Sequence, residues 1–450
     1  MRGTRHLRSG AAVLAVLAVG AAVMGVLVLL ASGSPDASAA LVLLPILIVV
    51  SLPFLARRAQ LENDRTLYWL LVLALALKLA GAFVRYYVTF DIYEGVADAV
   101  GYHGDGSRIA ENFRAGVFDT GLDSLSGTDF IRFFTAVVYT AIGSTMLGGF
   151  LVYSWLGFWG LYGFYRAFRI AVPEGRARTY AYLVFFLPSL LFWPSGIGKE
   201  AWMIFSLGIA AVGVARVLTG RLWRGLLVTG AGLLLCAQVR PHVAGLVGLA
   251  LVAGYLIRRG PVHERPSIPM AKLAGVAVLA VMALFLVQRT DQFLREKSVQ
   301  TDEGVVAILE QTSDLTGQKG STFAPSILQS PFRAPAAAVT ILFRPFPIEA
   351  QNVQMLVASI ETTFLLVLFA VRFRWVWAAV LSVRRQPYVA FAIVYLGLFI
   401  VAFSGVANFG LLARERVQML PFLLVLAAIP PRTKRDEEEQ RPKEAVVGRA

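Results

Sequence analysis

Blocks of about 15 to 24 mostly apolar residues recur along this chain, separated by short charged stretches, the cadence that a bilayer's hydrocarbon core imposes on a spanning helix. Lipid offers no partner to a backbone N–H or C=O, so such blocks have to close their hydrogen bonds internally as helices. Composition points the same way: 57% of the residues are hydrophobic and 16% are charged, against roughly 25% charged in soluble domains. The expected fold class is all-α, a polytopic transmembrane helical bundle with interfacial helices on the extracytoplasmic side.

The apolar blocks predict about twelve spans, near residues 11–31, 39–56, 67–84, 145–165, 179–193, 201–215, 225–239, 243–257, 273–288, 355–371, 388–404 and 417–429. Together they make residues 1–430 a single transmembrane domain, with a disordered cytoplasmic tail at 431–450 that holds the acidic run Asp436 to Glu439. Arg2, Arg5 and Arg8 precede the first block, whose apolar core exceeds that of a cleaved leader, so an uncleaved anchor is expected.

Charge sets the orientation. With the N-terminus inside, inner segments carry about three bases for each acid, whereas the outer ones carry more acids than bases. The net charge of +14 therefore reads as topology and contact with anionic lipid, not as a nucleic-acid surface. Both termini are expected in the cytoplasm of a bacterial cell, with the chain in its inner membrane. Two outer segments, 85–144 and 289–354, are long enough to carry function. Within them 131–143, 303–315 and 334–343 look helical, the first too short to span. The inner stretch 372–385 reads as a basic, Trp-bearing interfacial helix.

The only cysteine, Cys236, lies in an apolar block and reads as a small buried hydrophobe. Gly196, Gly198 and Lys199 do not make a phosphate loop: the spacing fails and Glu200 stands where a hydroxyl belongs. Lys78 and Glu361 are the charges farthest inside spans. Such groups are costly unless paired, and a mutual ion pair docking the third span on the tenth is the expected solution.

The first outer segment is rich in carboxylates directly after the third span. An acid close to the membrane plane suits a general base that deprotonates an attacking hydroxyl, and Asp98 is the candidate. Cations at outer helix ends suit a lipid phosphate and its departure as a leaving group: Lys199, Arg240, Arg344, Arg414 and Arg416. The plain alternative for each is a flank residue reaching toward the headgroups. His103, beside Tyr102, and His242, after Pro241, belong to outer ends as well. With Asp98 they could hold a divalent metal, although hydrogen bonding to substrate or structure is the simpler use, and no cofactor is called for.

The order Asp98, Tyr102, Ile109-Ala110 and a Gly-containing turn resembles the first-loop motif of the GT-C glycosyltransferases. FFLPSLLFWPSGIGKEAWMIF resembles their Pro-containing span, outer turn and following Glu (here Glu200), and LLARERVQMLPFLLVLAA their closing Arg-and-Pro span. The resemblance covers roughly residues 89–241 and the last span. It departs at Ala99, which stands where many members have a second acid. It implies an enzyme of the cell envelope that moves a sugar from a polyprenyl-phosphate or diphosphate carrier to a glycan, lipid or protein acceptor. On this resemblance Asp98 is the catalytic base, with Tyr102, His103, Lys199, Glu200, Arg240, His242, Arg344, Arg414 and Arg416 binding substrate. The same loose features occur in repeat-unit polymerases and ligases of envelope polysaccharide. A transporter or lipid flippase is the rival of another class; the chain lacks the internal repeat such proteins commonly show.

Overall fold

The computed structural model describes residues 33–257, 312–314, 316, 322–323 and 331–431. They form a helical membrane protein with no β-strand among the described residues. The expected spans at 11–31 and 273–288, the tail beyond Pro431 and most of the helix expected at 303–315 lie outside the described residues.

The helices follow the apolar blocks. They are α1 (Pro35–Leu61), α2 (Arg65–Tyr87), α3 (Asp98–Arg114), α4 (Gly127–Ile142), α5 (Met146–Ala171), α6 (Ala177–Phe186) and α7 (Pro188–Phe192). Next come α8 (Lys199–Leu218), α9 (Leu222–Val239), α10 (Pro241–Ile257), α11 (Ala334–Phe343), α12 (Val353–Val371), α13 (Phe373–Leu381), α14 (Pro387–Phe403), α15 (Phe409–Arg416) and α16 (Leu420–Leu426). Among the described residues five helices are long and apolar enough to cross a membrane: α1, α2 with its continuation to Ile92, α8, α9 and α12. A sixth would be the α4–α5 pair, but α4 turns 111° away from α5 and does not prolong it. Helices α10, α11 and α14 are apolar but shorter.

Two expected spans are interrupted. The block at 179–193 breaks at Leu187, because Pro188 has no N–H to donate and forces the preceding residue out of the helical region. The block at 417–429 yields only seven helical residues, about 10 Å of helix. It follows a separate helix, α15, that stops at Arg416. All of α16 is buried, so this segment is core, not a lipid-facing crossing.

Packing within the bundle uses small residues. A Cβ added at Gly160 of α5 would run into the backbone of Ile204 and Phe205 of α8, and one at Gly208 of α8 would meet the backbone of Gly160. Such close approach is how helices gain contact where lipid provides no hydrophobic drive between them. At one end of the bundle Asp36 ties three elements together: its carboxylate accepts from the Leu147 N–H in the first turn of α5 (3.0 Å) and from the Tyr86 hydroxyl of α2 (3.1 Å).

The charges inside the spans are solved by backbone. The Lys78 ammonium donates to the carbonyls of Leu190 (2.7 Å) and Leu191 (3.1 Å). The Glu361 carboxylate accepts from the Ser189 N–H at 2.6 Å, a donor left over by the Pro188 break. Lys78 and Glu361 are therefore not paired with each other, contrary to expectation. They brace the two ends of α7, since a broken helix offers both orphan donors and orphan carbonyls.

Candidate active site

Four helix ends converge on one cluster of charge. Asp98 occupies the first turn of α3 and Glu200 the first turn of α8, where a carboxylate meets the positive end of the helix dipole. Arg414 and Arg416 fall in the last turn of α15, where a cation meets the negative end. Arg240 follows the last residue of α9.

Arg414 is the hub. Its guanidinium donates to Asp98 Oδ2 at 2.7 Å and, through Nε, to Glu200 Oε1 at 2.6 Å. Arg240 approaches the same Glu200 oxygen at 3.5 Å and makes a two-pronged pair with Glu415, one contact being 2.5 Å. Gln418 donates to the remaining capacity of Glu415 at 2.6 Å. Burial falls off along this chain of contacts: the side chains of Glu200 and Glu415 are 4% and 8% exposed, whereas that of Asp98 is 59% exposed. The network thus has a closed end at Glu415 and an open end at Asp98.

Tyr102 lies one turn beyond Asp98 and is buried. Burial pushes its phenol up to about 12, with the negative charges of Asp98 and Glu200 acting the same way, so it stays protonated and able to donate. His103 contacts the Tyr139 hydroxyl at 2.7 Å. Burial lowers its pKa below the usual imidazole value, which keeps the ring neutral. His242 is set against the Phe403 ring, at 6.1 Å between centroids. The two histidines thus have separate partners, and among the described residues no group of three or more His, Cys, Asp or Glu is arranged to hold a metal ion.

The expected phosphate-binding cations divide into two groups. Arg344 is paired with Glu349 and stacked over Phe323 and Phe409. Buried Arg416 donates to the carbonyls of Ile341 (2.7 Å) and Arg344, which staples α15 to the end of α11. Both are occupied with structure; Arg344's acid is only five residues on, whereas Arg416's partners lie in a distant segment that sequence spacing does not reveal. Arg414, Arg240 and Lys199 do come together around Glu200. Lys199 is half-buried and, among the described residues, forms no ion pair, yet the charges of Arg240, Glu200, Arg414 and Glu415 act on it.

Arg85, near the end of α2, looks in the sequence like a simple end-of-span cation. Its guanidinium sits 4.8 Å from the Phe192 ring and 5.3 Å from the Trp193 ring. Its Nε is buried without a hydrogen-bond partner, and its charge is felt alongside those of Glu200, Arg414 and Asp98. Among the described residues it forms no ion pair. The spacing of Arg85 from the aromatic pair Phe192-Trp193 carries no signal in one dimension.

The same two rings line a cavity of about 420 Å³ between α2, α7, α12 and α15. Val84, Val88, Ile92, Val353, Met355 and Val357 make its walls apolar, and Ala413, next to Arg414, closes one side. The cavity has the size and lining of a site for an apolar ligand; its Phe192 and Trp193 rings stack on Arg85, and its Ala413 precedes Arg414 in the chain. Compared with known protein families, with curated proteins and with solved structures, the chain matches none.

Proposed function

We propose that this protein is a GT-C-like membrane glycosyltransferase that moves a sugar from a polyprenyl-phosphate or diphosphate carrier to a glycan, lipid or protein acceptor on the extracytoplasmic face. The reading is carried by an apolar cavity whose Phe192 and Trp193 rings stack on Arg85 and whose Ala413 directly precedes Arg414, the hub of the network of carboxylates and guanidinium groups. A lipid-linked donor has the same two-part chemistry: a hydrocarbon tail that fills Val84, Val88 and Val357's cavity, and a phosphate that needs cations at its mouth.

In the resting state Arg414 is shared between Asp98 and Glu200. A donor phosphate entering beside Arg85 and Lys199 competes for that guanidinium, a bidentate match for phosphate oxygens. As Arg414 turns to the phosphate, Asp98 is released from its partner and is free to accept a proton from the acceptor. The acceptor O–H then gives its proton to Asp98 while its oxygen attacks the anomeric carbon. The bond from that carbon to the phosphate oxygen breaks, the electron pair leaves with the carrier phosphate, and configuration inverts. Arg85, Lys199 and Arg414 stabilise the charge that develops on the leaving group. Arg240, held by Glu415, fixes Glu200 in place.

Asp98→Asn tests this directly. Sugar transfer from a polyprenyl-phosphate donor is expected to fall by about 10²- to 10⁴-fold, the usual worth of a general base, with a loss of about 1 kcal/mol or less in stability because Asp98 is exposed. Full activity in this variant would exclude the mechanism.

A further inference from the structure

A second cavity, of about 640 Å³, opens beside α13 on the arginine-rich face of the bundle, which the positive-inside rule orients toward the cytoplasm. Three guanidinium groups line it, from Arg374, Arg384 and Arg385, against one carboxylate, Glu174. An anion therefore suits it better than a zwitterion. Its wall also contains Gln386, which is 8% exposed. The amide of Gln386 donates to Glu174 at 3.4 Å, but its carbonyl oxygen Oε1 is buried with no hydrogen-bond partner. A buried acceptor without a donor costs about 1–3 kcal/mol, so the cavity calls for a ligand that brings an O–H as well as a negative charge.

The rim says what else the ligand carries. Phe373, Trp377 and Leu381 follow one another at four-residue steps along α13, on one helix face, and are 64%, 56% and 67% exposed. A stripe of that kind beside arginines is the pattern of a helix lying in the membrane interface, its apolar face among acyl chains and its cations among headgroups. A cavity that is basic and hydroxyl-seeking inside, and apolar at the rim, matches one phospholipid class.

We propose that this cavity binds the headgroup of an anionic, hydroxyl-bearing phosphodiester lipid of the phosphatidylglycerol type. Arg374, Arg384 and Arg385 hold the phosphate, and Gln386 Oε1, with Glu174 behind it, accepts from a headgroup hydroxyl. The assignment is independent of the sugar-transfer reading, because it concerns the opposite end of the bundle.

The test is native mass spectrometry of the full chain with phosphatidylglycerol, phosphatidylmethanol and phosphatidylcholine of identical acyl chains. Phosphatidylmethanol is an anionic phosphodiester without a free hydroxyl. Wild type is expected to retain phosphatidylglycerol at least about tenfold over phosphatidylcholine, the worth of one charge-assisted hydrogen bond, and to prefer it over phosphatidylmethanol. Arg384→Gln with Arg385→Gln, both exposed, should erase the preference over phosphatidylcholine. Gln386→Leu should erase only the preference over phosphatidylmethanol. Arg221→Gln with Arg224→Gln, an exposed arginine pair outside the cavity, should change nothing. The proposal is overturned if the Arg384/Arg385 variant keeps its preference, if the Arg221/Arg224 variant loses as much, or if wild type does not separate phosphatidylglycerol from phosphatidylmethanol.

Discussion

The charges buried in this protein are satisfied in two ways. At the junction of α3, α8, α9 and α15, charge meets charge: Arg414 with Asp98 and Glu200, Arg240 with Glu415. Inside the spans, Lys78 and Glu361 hydrogen-bond to backbone at the two ends of α7, and neither forms an ion pair among the described residues. The difference separates a braced joint from a reactive one. Lys78 and Glu361 spend their hydrogen bonds on groups that never leave. The network instead grades from a closed, buried pair at Arg240–Glu415 to an exposed end at Asp98, with Arg85 and Lys199 nearby as cations that, among the described residues, form no ion pair. Only such an end can exchange partners when a charged ligand arrives.

The sharpest way to break this contrast is to open the closed end. Arg240→Met leaves Glu415 buried without its guanidinium partner, and removing one partner of a buried pair costs about 3–5 kcal/mol. Unfolding by SDS in mixed micelles should show a loss of that order. Asp98→Asn, at the exposed end, should lose about 1 kcal/mol or less. Equal losses at the two ends would mean that the network is one structural unit without a reactive terminus.

Arg85 sharpens the contrast from the ligand's side. Arg85→Gln should weaken binding of a polyprenyl phosphate by about 10- to 100-fold, the range of charge-assisted hydrogen bonds, while leaving binding of the corresponding polyprenol unchanged. Fluorescence or microscale thermophoresis titrations with the two lipids would measure both. If the variant loses phosphate and alcohol equally, Arg85 acts through its stacking on Phe192 and Trp193 and not through its charge. Failure of wild type to distinguish the two lipids would remove the phosphate-binding reading altogether.

Much of this architecture is legible from apolar blocks and charged helix ends, and the reasons for the gaps are physical. Glu200, Arg240 and Arg414 stand out in the sequence because each sits beside the end of an apolar run, and Asp98 because it belongs to the carboxylate-rich outer segment 85–144. Which of them touch is a different matter. Asp98 and Arg414 are 316 residues apart and Arg240 and Glu415 are 175 apart, and no local period encodes such pairs. Glu415 lies between two arginines, where nothing in the sequence marks it out, yet it is the most occupied acid of the site. Pro188 was visible, but its effect was not: the break it makes creates the backbone partners that Lys78 and Glu361 take in preference to each other. The span expected at 417–429 fails for a related reason, since Arg416 turns inward to the carbonyls of Ile341 and Arg344 and ends α15 there.

The smallest expected effect bears on the other half of the comparison. Lys78 and Glu361 bind different backbone groups, the Leu190 and Leu191 carbonyls and the Ser189 N–H. In a double-mutant cycle of Lys78→Met and Glu361→Met, the two losses should therefore add within about 0.5 kcal/mol, as for groups without direct contact. A direct ion pair would behave otherwise: each single variant would strand a charge in the bundle at about 3–5 kcal/mol, and removing the second partner would recover much of it. The same mixed-micelle unfolding measures both cases. Additive losses would identify α7 as a helix held from both ends, which keeps Pro188 and Phe192 fixed as walls of the apolar cavity. Recovery in the double variant would instead mean that the two charges act on each other, and the line drawn between backbone-satisfied and charge-satisfied groups would disappear.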